Sequence, residues 1–159
     1  MASLKDIYNE YGKAVYGFLL KLTGDEGMAD ELLQETFYRA VKNIDSFEGR
    51  CSLMTWLCQI GKNAYFKECR RKKRFADMPP DNASDAGESP EEQVIRADDC
   101  RRIREALYRL DEPYRSVFSL RVFGDHSYKD IGGIYGKTEI WARVTYFRAK
   151  EKILQEVEK

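Results

Sequence analysis

Apolar residues recur at helical spacing in three successive segments of the first half of the chain. The first segment lies between Ser3, a residue type that caps helices, and Gly24, a residue type that ends them. The second and third segments are expected over about 26–43 and 53–74. The inward apolar stripe of the first helix includes Leu4 and Tyr8, and that of the second includes Val41. Together they predict a three-helix domain over residues 1–75, in which each helix buries one apolar face.

Residues 76–90 interrupt this pattern. The segment holds three of the four prolines of the chain and no basic residue, and its acidic residues are Asp77, Asp81, Asp85 and Glu88. Proline and small polar residues favour an extended, solvated chain over a packed one. We therefore expect a flexible acidic linker and a domain boundary in this segment.

The second half of the chain, residues 91–159, again shows helical periodicity. A helix ending near Asp111 is preceded by the spacing of a capping box, formed by Ser89, Pro90 and Glu92. Further helical segments follow, over about 113–123, 127–135 and 138–159, and Gly124 is expected to end the first of them. The first of these should face inward with Tyr114, Val117, Phe118 and Val122. Because no segment alternates with period two, the sequence predicts an all-α protein of two small helical domains.

The charge of the chain is separated into blocks, although the formal net charge is zero. Residues 1–50 carry −3, residues 51–75 carry +6, residues 76–100 carry −7 and residues 101–159 carry +4. The positive blocks favour contact with nucleic acid, although the net charge of the whole chain is zero. No apolar run approaches the roughly 18 residues that cross a bilayer, and the N-terminus lacks the pattern of a signal peptide. We therefore expect a cytoplasmic protein with no membrane insertion.

Cysteine and histidine positions give no metal or redox signature. Cys51, Cys58, Cys69 and Cys100 have spacings that match no zinc motif, and His126 is the single histidine. Reduced cysteines are the simpler interpretation, because a cytoplasmic compartment disfavours disulfides. The sequence also lacks a glycine-rich phosphate loop and a nucleophile–base pair, so we expect no enzymatic activity and no cofactor.

Residues 127–150 have the layout of a helix-turn-helix, with a short helix capped by Ser127, a glycine-bearing turn and a longer helix. One face of the longer helix is apolar, and another face projects Arg143, Val144, Phe147 and Arg148. Arginine suits guanine edges and phosphates, because its planar guanidinium binds in a bidentate manner. DNA recognition and an ordinary helical hairpin with solvated arginines both fit this pattern.

The third helix of the first half combines cations with aromatic residues. Its basic residues are Lys62, Lys67, Arg70, Arg71, Lys72, Lys73 and Arg74, and they are interleaved with Trp56, Tyr65 and Phe66. Cations hold a phosphate backbone and aromatic rings stack on unpaired bases, but a solvated basic helix end fits equally well. The preceding helix carries an acidic face in DELLQETF, residues 30–37, which by pattern alone is ordinary for an amphipathic helix.

Two stretches of the chain together resemble a known family. Residues 27–73, from GMADELLQETF to ECRRKK, closely resemble region 2 of bacterial RNA polymerase sigma factors, and residues 110–153 resemble region 4. In this order, with a short acidic linker, they are similar to the extracytoplasmic-function (ECF) group of the sigma-70 family over nearly the whole chain. The resemblance implies a dissociable, non-enzymatic specificity subunit whose partners are core RNA polymerase, promoter DNA and an anti-sigma factor.

The resemblance also implies three sets of contact residues. DELLQETF matches the helix that docks on the clamp helices of the largest polymerase subunit, with contacts expected at Glu31, Gln34 and Phe37. The loop 45–53 and the helix after it match the elements that capture unstacked bases of the −10 element, with candidates Lys62, Asn63, Tyr65 and Arg70. The −35 element would be read by Arg143, Val144, Phe147 and Arg148.

The chain departs from the family pattern at two places. Many relatives enter the reading helix through a V-G-T-V turn, where this chain has residues 139–142, EIWA. Gly132 and Gly133 also stand where a helix-forming pair is usual. The alternative class is a stand-alone helix-turn-helix regulator that does not dock on polymerase. Such a regulator would need neither the DELLQETF face nor the basic, aromatic third helix.

Overall fold

The structure is a computed structural model that describes residues 3–73 and 101–158, and within these ranges it is helical with no strand, as the sequence predicts. The helices are α1 Leu4–Thr23, α2 Glu26–Asn43, α3 Leu53–Lys73, α4 over 101–109, α5 Tyr114–Gly124, α6 Tyr128–Ile134 and α7 Glu139–Val157. A 3-10 turn, Ile44–Ser46, follows α2. The acidic linker and the capping box expected at Ser89, Pro90 and Glu92 lie outside the described residues.

Short polar side chains begin most of these helices. At α1 the Asp6 amide donates to Ser3 Oγ at 3.2 Å, and the Ser3 amide donates to Asp6 Oδ2 at 3.3 Å, which completes a capping box. The remaining side-chain caps are Asp25 for α2, Ser52 for α3, Ser127 for α6 and Thr138 for α7. Each cap pairs an amide that the helix itself leaves without an acceptor.

The end of α5 differs from the sequence expectation. Gly124 was expected to terminate the helix, but it is the last residue inside it, and Asp125 takes the left-handed conformation with φ 52°. A Cβ on Gly124 would lie 2.5 Å from His126 Nε2 and 2.9 Å from Phe18 Cδ1. Glycine is required here by a close packing contact between α1 and the end of α5.

The first three helices pack around one apolar core. Its central residues are Val15, Leu19 and Leu22 of α1, Leu32 and Phe37 of α2, and Leu57 of α3. Leu4, Tyr8 and Val41 belong to the predicted apolar stripes, but all three are exposed. These residues lie at the margins of the stripes, where helical spacing alone does not distinguish core from surface.

Helices α4 to α7 form the second unit, with Leu107, Val117, Leu120, Ile131, Ala142, Ala149 and Ile153 buried. Val122 was expected to face inward, and this prediction is wrong because Val122 is exposed. It follows Leu120 by two residues, which rotates its side chain roughly 160° around the helix from that buried position.

The two units also pack against each other. Helices α1 and α3 contact α5, and α3 contacts α6. The rings of Phe18 and His126 meet edge to face at 6.1 Å, and Thr55 Oγ1 lies 2.9 Å from His126 Nδ1. A continuous apolar core therefore includes residues from both units.

Gly61 of α3 provides a test of the first core. A Cβ there would lie 2.9 Å from Thr36 Oγ1 and 3.0 Å from Leu19 Cδ2, so Gly61→Ala overpacks the contact between three helices. We expect it to lower the free energy of unfolding by about 1–3 kcal/mol, measured by urea denaturation. Gly17→Ala is the matched control, since nothing lies within 4 Å of a Cβ at that site. Equal stability of the two variants would contradict this packing.

Candidate functional site

The acidic face of α2 presents two of the three residues predicted to contact polymerase. Glu31 and Gln34 are exposed. Phe37 is only 3% exposed, and its ring packs edge to face against Tyr8 at 5.2 Å. In this structure Phe37 is therefore a core residue that supports the face and not a surface available to a partner.

Two exposed apolar residues extend this face beyond the predicted residues. Tyr38 is 60% exposed and Val41 is 41% exposed. Counted from Glu31, the residues Gln34, Tyr38 and Val41 lie at i+3, i+7 and i+10. All four are therefore on one side of α2, here called the α2 stripe. The sequence assigned Val41 to the core because it also fits the inward spacing. Only the packing of α1 on α2 shows that the stripe is uncovered.

The four predicted −10 residues are not brought together on one accessible surface. Asn63 and Arg70 of α3 are exposed, whereas Tyr65 is buried and packs on Phe66 at 5.1 Å between ring centroids. Lys62 is only 1% exposed. The roles of these residues in promoter binding stay predictions, and any role for Lys62 requires that it first become accessible.

Lys62 holds a buried amine at the contact between the two units. Its Nζ donates to Ser116 Oγ of α5. Burial lowers the pKa of Lys62 from 10.5 to about 8, while Glu112 opposes this shift and Arg115 adds to it. The Tyr135 phenol is close enough to Ser116 and Glu112 for hydrogen bonding, and burial raises the pKa of Tyr135 to about 12. Lys62 thus remains mostly charged at neutral pH although little water reaches it.

Arg70 lies in a basic cleft between α2 and α3. The cleft has a volume of about 540 Å³ and is lined by Glu35, Arg39, Ala64, Lys67, Glu68, Arg70 and Arg71. Glu35 pairs with Arg39 at 2.7 Å, and Glu68 pairs with Arg71 at 2.5 Å. Four cations face two carboxylates, so the cleft has a net positive charge that suits phosphate groups.

The helix-turn-helix is closed by a glycine at the end of α6. The Gly132 carbonyl accepts the amides of Tyr135 at 3.0 Å and Lys137 at 2.9 Å, and Gly136 takes the left-handed conformation with φ 64°. A Cβ on Gly132 would lie 2.6 Å from the Thr138 carbonyl oxygen. The departure from the family pattern at Gly132 is therefore explained by a tight turn into α7.

All four predicted −35 residues lie on the exposed side of α7. Arg143, Val144, Phe147 and Arg148 are exposed, and Ala142, Ala149 and Ile153 are buried on the other side. Arg143 lies 3.7 Å from the Glu139 carboxylate and 5.4 Å from the centroid of the Tyr128 ring. Both contacts position its guanidinium at the surface.

Ile140, 70% exposed, belongs to the same face and was not predicted as a contact. Together with Val144 and Phe147 it makes an apolar strip beside Arg143 and Arg148. Helical spacing places Ile140 on this face, because it lies one turn before Val144. An apolar strip flanked by arginines can contact thymine methyl groups while the guanidinium groups bind guanine edges or phosphates.

The described residues contain no group of three or more His, Cys, Asp or Glu placed to hold a metal ion. Burial raises the pKa of Cys58 to about 12 and also raises the pKa of Cys69, so both thiols are poor nucleophiles. Across residues 3–73 and 101–158, every helix is too short or too polar to cross a bilayer.

Comparison with known proteins finds a family match in each half of the chain. The family model for Sigma-70 region 2 matches residues 7–75, and that for Sigma-70 region 4 matches residues 100–153. The sigma factor SigM of Bacillus subtilis is 30% identical, with 95% of this chain and 93% of SigM covered. YlaC, a sigma factor of the same organism, is 27% identical over 99% of this chain and 93% of its own.

Two solved structures share the fold. RpoE of Bartonella quintana, in complex with the anti-sigma factor NepR, has a TM-score of 0.61 and 21% identity, over 97% of this chain and 96% of RpoE. CnrH, in complex with the cytosolic domain of CnrY, also has a TM-score of 0.61, with 20% identity over 98% of this chain and 87% of CnrH.

Region 2 matches the first half of the chain and region 4 matches the second half. The protein is therefore an RNA polymerase sigma factor. The chain belongs to the ECF group of the sigma-70 family. As a sigma factor, it binds core polymerase and directs promoter recognition and transcription initiation.

Burial of Lys62 predicts a pH dependence of stability. Its pKa is lower in the folded chain, so the unfolded chain binds more protons between about pH 8 and pH 10.5. The cost of burying the charge is fully present below pH 8 and is lost above pH 10.5, so stability should rise through this window. Between these pH values, we expect the free energy of unfolding of the wild type to rise by up to roughly 3 kcal/mol relative to that of Lys62→Met.

The measurement is urea denaturation of both chains at several pH values. The difference in the free energy of unfolding between wild type and Lys62→Met is compared across pH, because the titration of the tyrosines and other lysines that both proteins share then cancels. Parallel pH profiles would show that Lys62 is solvated in the folded protein.

Proposed function

We propose that this sigma factor divides its contacts among three surfaces. The α2 stripe docks on the clamp of core polymerase, the loop 45–53 with α3 captures the −10 element, and the exposed side of α7 reads the −35 element. The observation that carries this proposal is the α7 face, on which all four residues expected from the family are exposed. The acidic and apolar α2 stripe supports the docking assignment.

The domain boundaries follow the same division. We assign residues 1–75 to core and −10 binding, residues 76–90 to the linker and residues 91–159 to −35 binding. The family models, which match 7–75 and 100–153, support this assignment. The chain would act in the cytoplasm, as a specificity subunit with no chemistry of its own.

We also propose regulation by an anti-sigma factor. The solved structures of RpoE and CnrH that share this fold are complexes, in the first case with a named anti-sigma factor. The exposed apolar residues Ile140, Val144 and Phe147 offer such a partner a surface that would compete directly with DNA.

Run-off transcription with purified core polymerase tests the function as a whole. The protein should produce promoter-specific transcripts from genomic templates that core polymerase alone does not initiate. A stand-alone helix-turn-helix regulator would bind DNA without this effect. Absence of specific transcripts, combined with intact DNA binding, would favour that alternative.

The docking assignment predicts the effect of changes on α2. Gln34→Ala combined with Tyr38→Ala should weaken core binding, because both side chains are exposed on the α2 stripe. Affinity is measured by titration of labelled protein with core polymerase, and helicity by circular dichroism. Phe37→Ala should instead lower the free energy of unfolding by about 3–5 kcal/mol. Unchanged affinity of the double variant would exclude the stripe as the docking surface.

The −35 assignment predicts the effect of Arg143→Ala. A bidentate base contact would be seen as about 1–3 kcal/mol of lost discrimination between promoter variants. A phosphate contact would lower affinity for all sequences alike and reduce the salt slope by about one unit. Binding titrations on several promoters at several salt concentrations separate the two results. If neither quantity changes, Arg143 does not belong to the interface.

A further inference from the structure

The segment EIWA, where many relatives have a V-G-T-V turn, is divided by the structure into two pairs of residues. Ala142 is buried, and the Trp141 ring packs on the Tyr135 ring of α6 at 5.2 Å between centroids. These two residues hold α7 against α6. Glu139 and Ile140 are exposed at the start of α7. Packing therefore explains the last two residues of the segment, whereas the first two face outward, where relatives have a valine and a glycine.

Glu139 lies one helical turn before Arg143, a residue expected to read the −35 element. Its Oε1 is 3.7 Å from the Arg143 guanidinium, and the two side chains are 54% and 52% exposed. The same guanidinium lies 5.4 Å from the centroid of the Tyr128 ring. Thr138 caps α7 by accepting the Trp141 amide at 3.0 Å, so Glu139 is the first residue of the helix. In helix-turn-helix proteins the N-terminal residues of the recognition helix are those that contact base edges.

A carboxylate on a face that meets DNA needs a physical reason. The phosphates of DNA repel it, so Glu139 lowers the affinity for every sequence alike unless a base donates a hydrogen bond to it. The dipole of α7 favours an acidic residue in the first turn, but this effect would stabilise the helix without selecting any base. Base recognition by Glu139 therefore has a distinct consequence, which is a preference for one base.

Cytosine is the base that suits a carboxylate best in the major groove. Its edge presents the N4 amino group as a donor and no acceptor. Guanine and thymine present acceptors, which repel a carboxylate, and adenine has an acceptor beside its amino group. One helical turn advances about 5.4 Å and successive base pairs are about 3.4 Å apart, so Glu139 would meet a base pair within one or two steps of the pair that Arg143 contacts.

We propose that Glu139 is a specificity-determining residue of α7, which accepts a hydrogen bond from N4 of a cytosine close to the base pair that Arg143 reads. The ion pair between them is longer than a direct hydrogen bond and lies at the surface, so either side chain can turn to a base at little cost. The same carboxylate would reject guanine and thymine at that position. The proposal rests on the proposed function of α7 and adds the base that Glu139 selects.

Selection from a pool of promoters tests this assignment with the holoenzyme. Core polymerase is combined with wild type, Glu139→Ala, Arg143→Ala or Glu158→Ala. Each holoenzyme is titrated with duplexes of a promoter on which the wild type initiates, randomised at the −35 element. Sequencing of the bound fraction gives the preference for each base at each position. Glu158→Ala is the matched control, because Glu158 is exposed at the far end of the same helix, roughly 28 Å away.

Wild type and Glu158→Ala should prefer cytosine at one position of the element. Glu139→Ala should lower this preference by roughly 5- to 30-fold, because the acceptor for N4 is lost. The affinity for the remaining sequences should stay equal or rise, since a negative charge has been removed. Arg143→Ala should alter the preference at a different position. Circular dichroism of each variant checks that its helicity equals that of the wild type.

Four results would overturn the proposal. An equal change of affinity for all sequences would show that Glu139 only repels phosphates, and unchanged preferences would leave helix stabilisation as its role. Loss of preference for a base other than cytosine would refute the assigned ligand. A change confined to the position that Arg143→Ala also alters would show that Glu139 acts only through Arg143.

The effect of Arg143→Ala separates these failures from a failure of the proposed function. If Arg143→Ala alters a base preference while Glu139→Ala does not, reading of the −35 element by α7 stands and the assignment of Glu139 falls. If the wild-type holoenzyme selects no base within the −35 element, the proposed function of α7 and the assignment of Glu139 are both refuted.

Discussion

The contact between α3 and α5 is the constraint on which the rest of the structure depends. Helix α3 completes the first apolar core with Leu57 and, from another side, contacts the second unit through Thr55, Lys62 and Phe66. Helix α3 therefore belongs to the core of the first unit and also contacts the second unit. The side chains on this side of α3 therefore determine how α5 and α6 pack against the first unit.

The contact between α3 and the second unit is chemically unlike an ordinary core. It contains a charged amine bound to a hydroxyl, a histidine bound to a threonine and an arginine over a phenylalanine ring. A buried charge costs free energy unless it is well paired, and the lowered pKa of Lys62 reflects that cost. Such a contact contributes less free energy of association than an apolar contact of equal area.

The remaining functional surfaces are uncovered in the same structure. The α2 stripe and the exposed side of α7 both combine apolar side chains with charges, and neither is covered by the contact between the units. On the proposed assignment, the surfaces for core docking and −35 reading are exposed in this structure, whereas Lys62 of α3 is buried against α5.

The sequence by itself determined the helices of the described residues, the caps at Ser3 and Ser127, and the class of the protein. Helical spacing, short polar caps and glycine turns act over a few residues, so they can be read without tertiary information, and the family motifs of both halves identified the α7 residues correctly as an exposed set. Tertiary structure decided what pattern could not, namely that Phe37 lies in the core while Tyr38 and Val41 are exposed, and that Lys62 is buried against Ser116. These outcomes depend on which helix packs against each residue. Lys62 and Ser116 are 54 residues apart in the chain, and no local sequence pattern encodes such a contact. The same holds for Gly133 of α6, where a Cβ would meet the backbone carbonyl of Arg50 in the first unit.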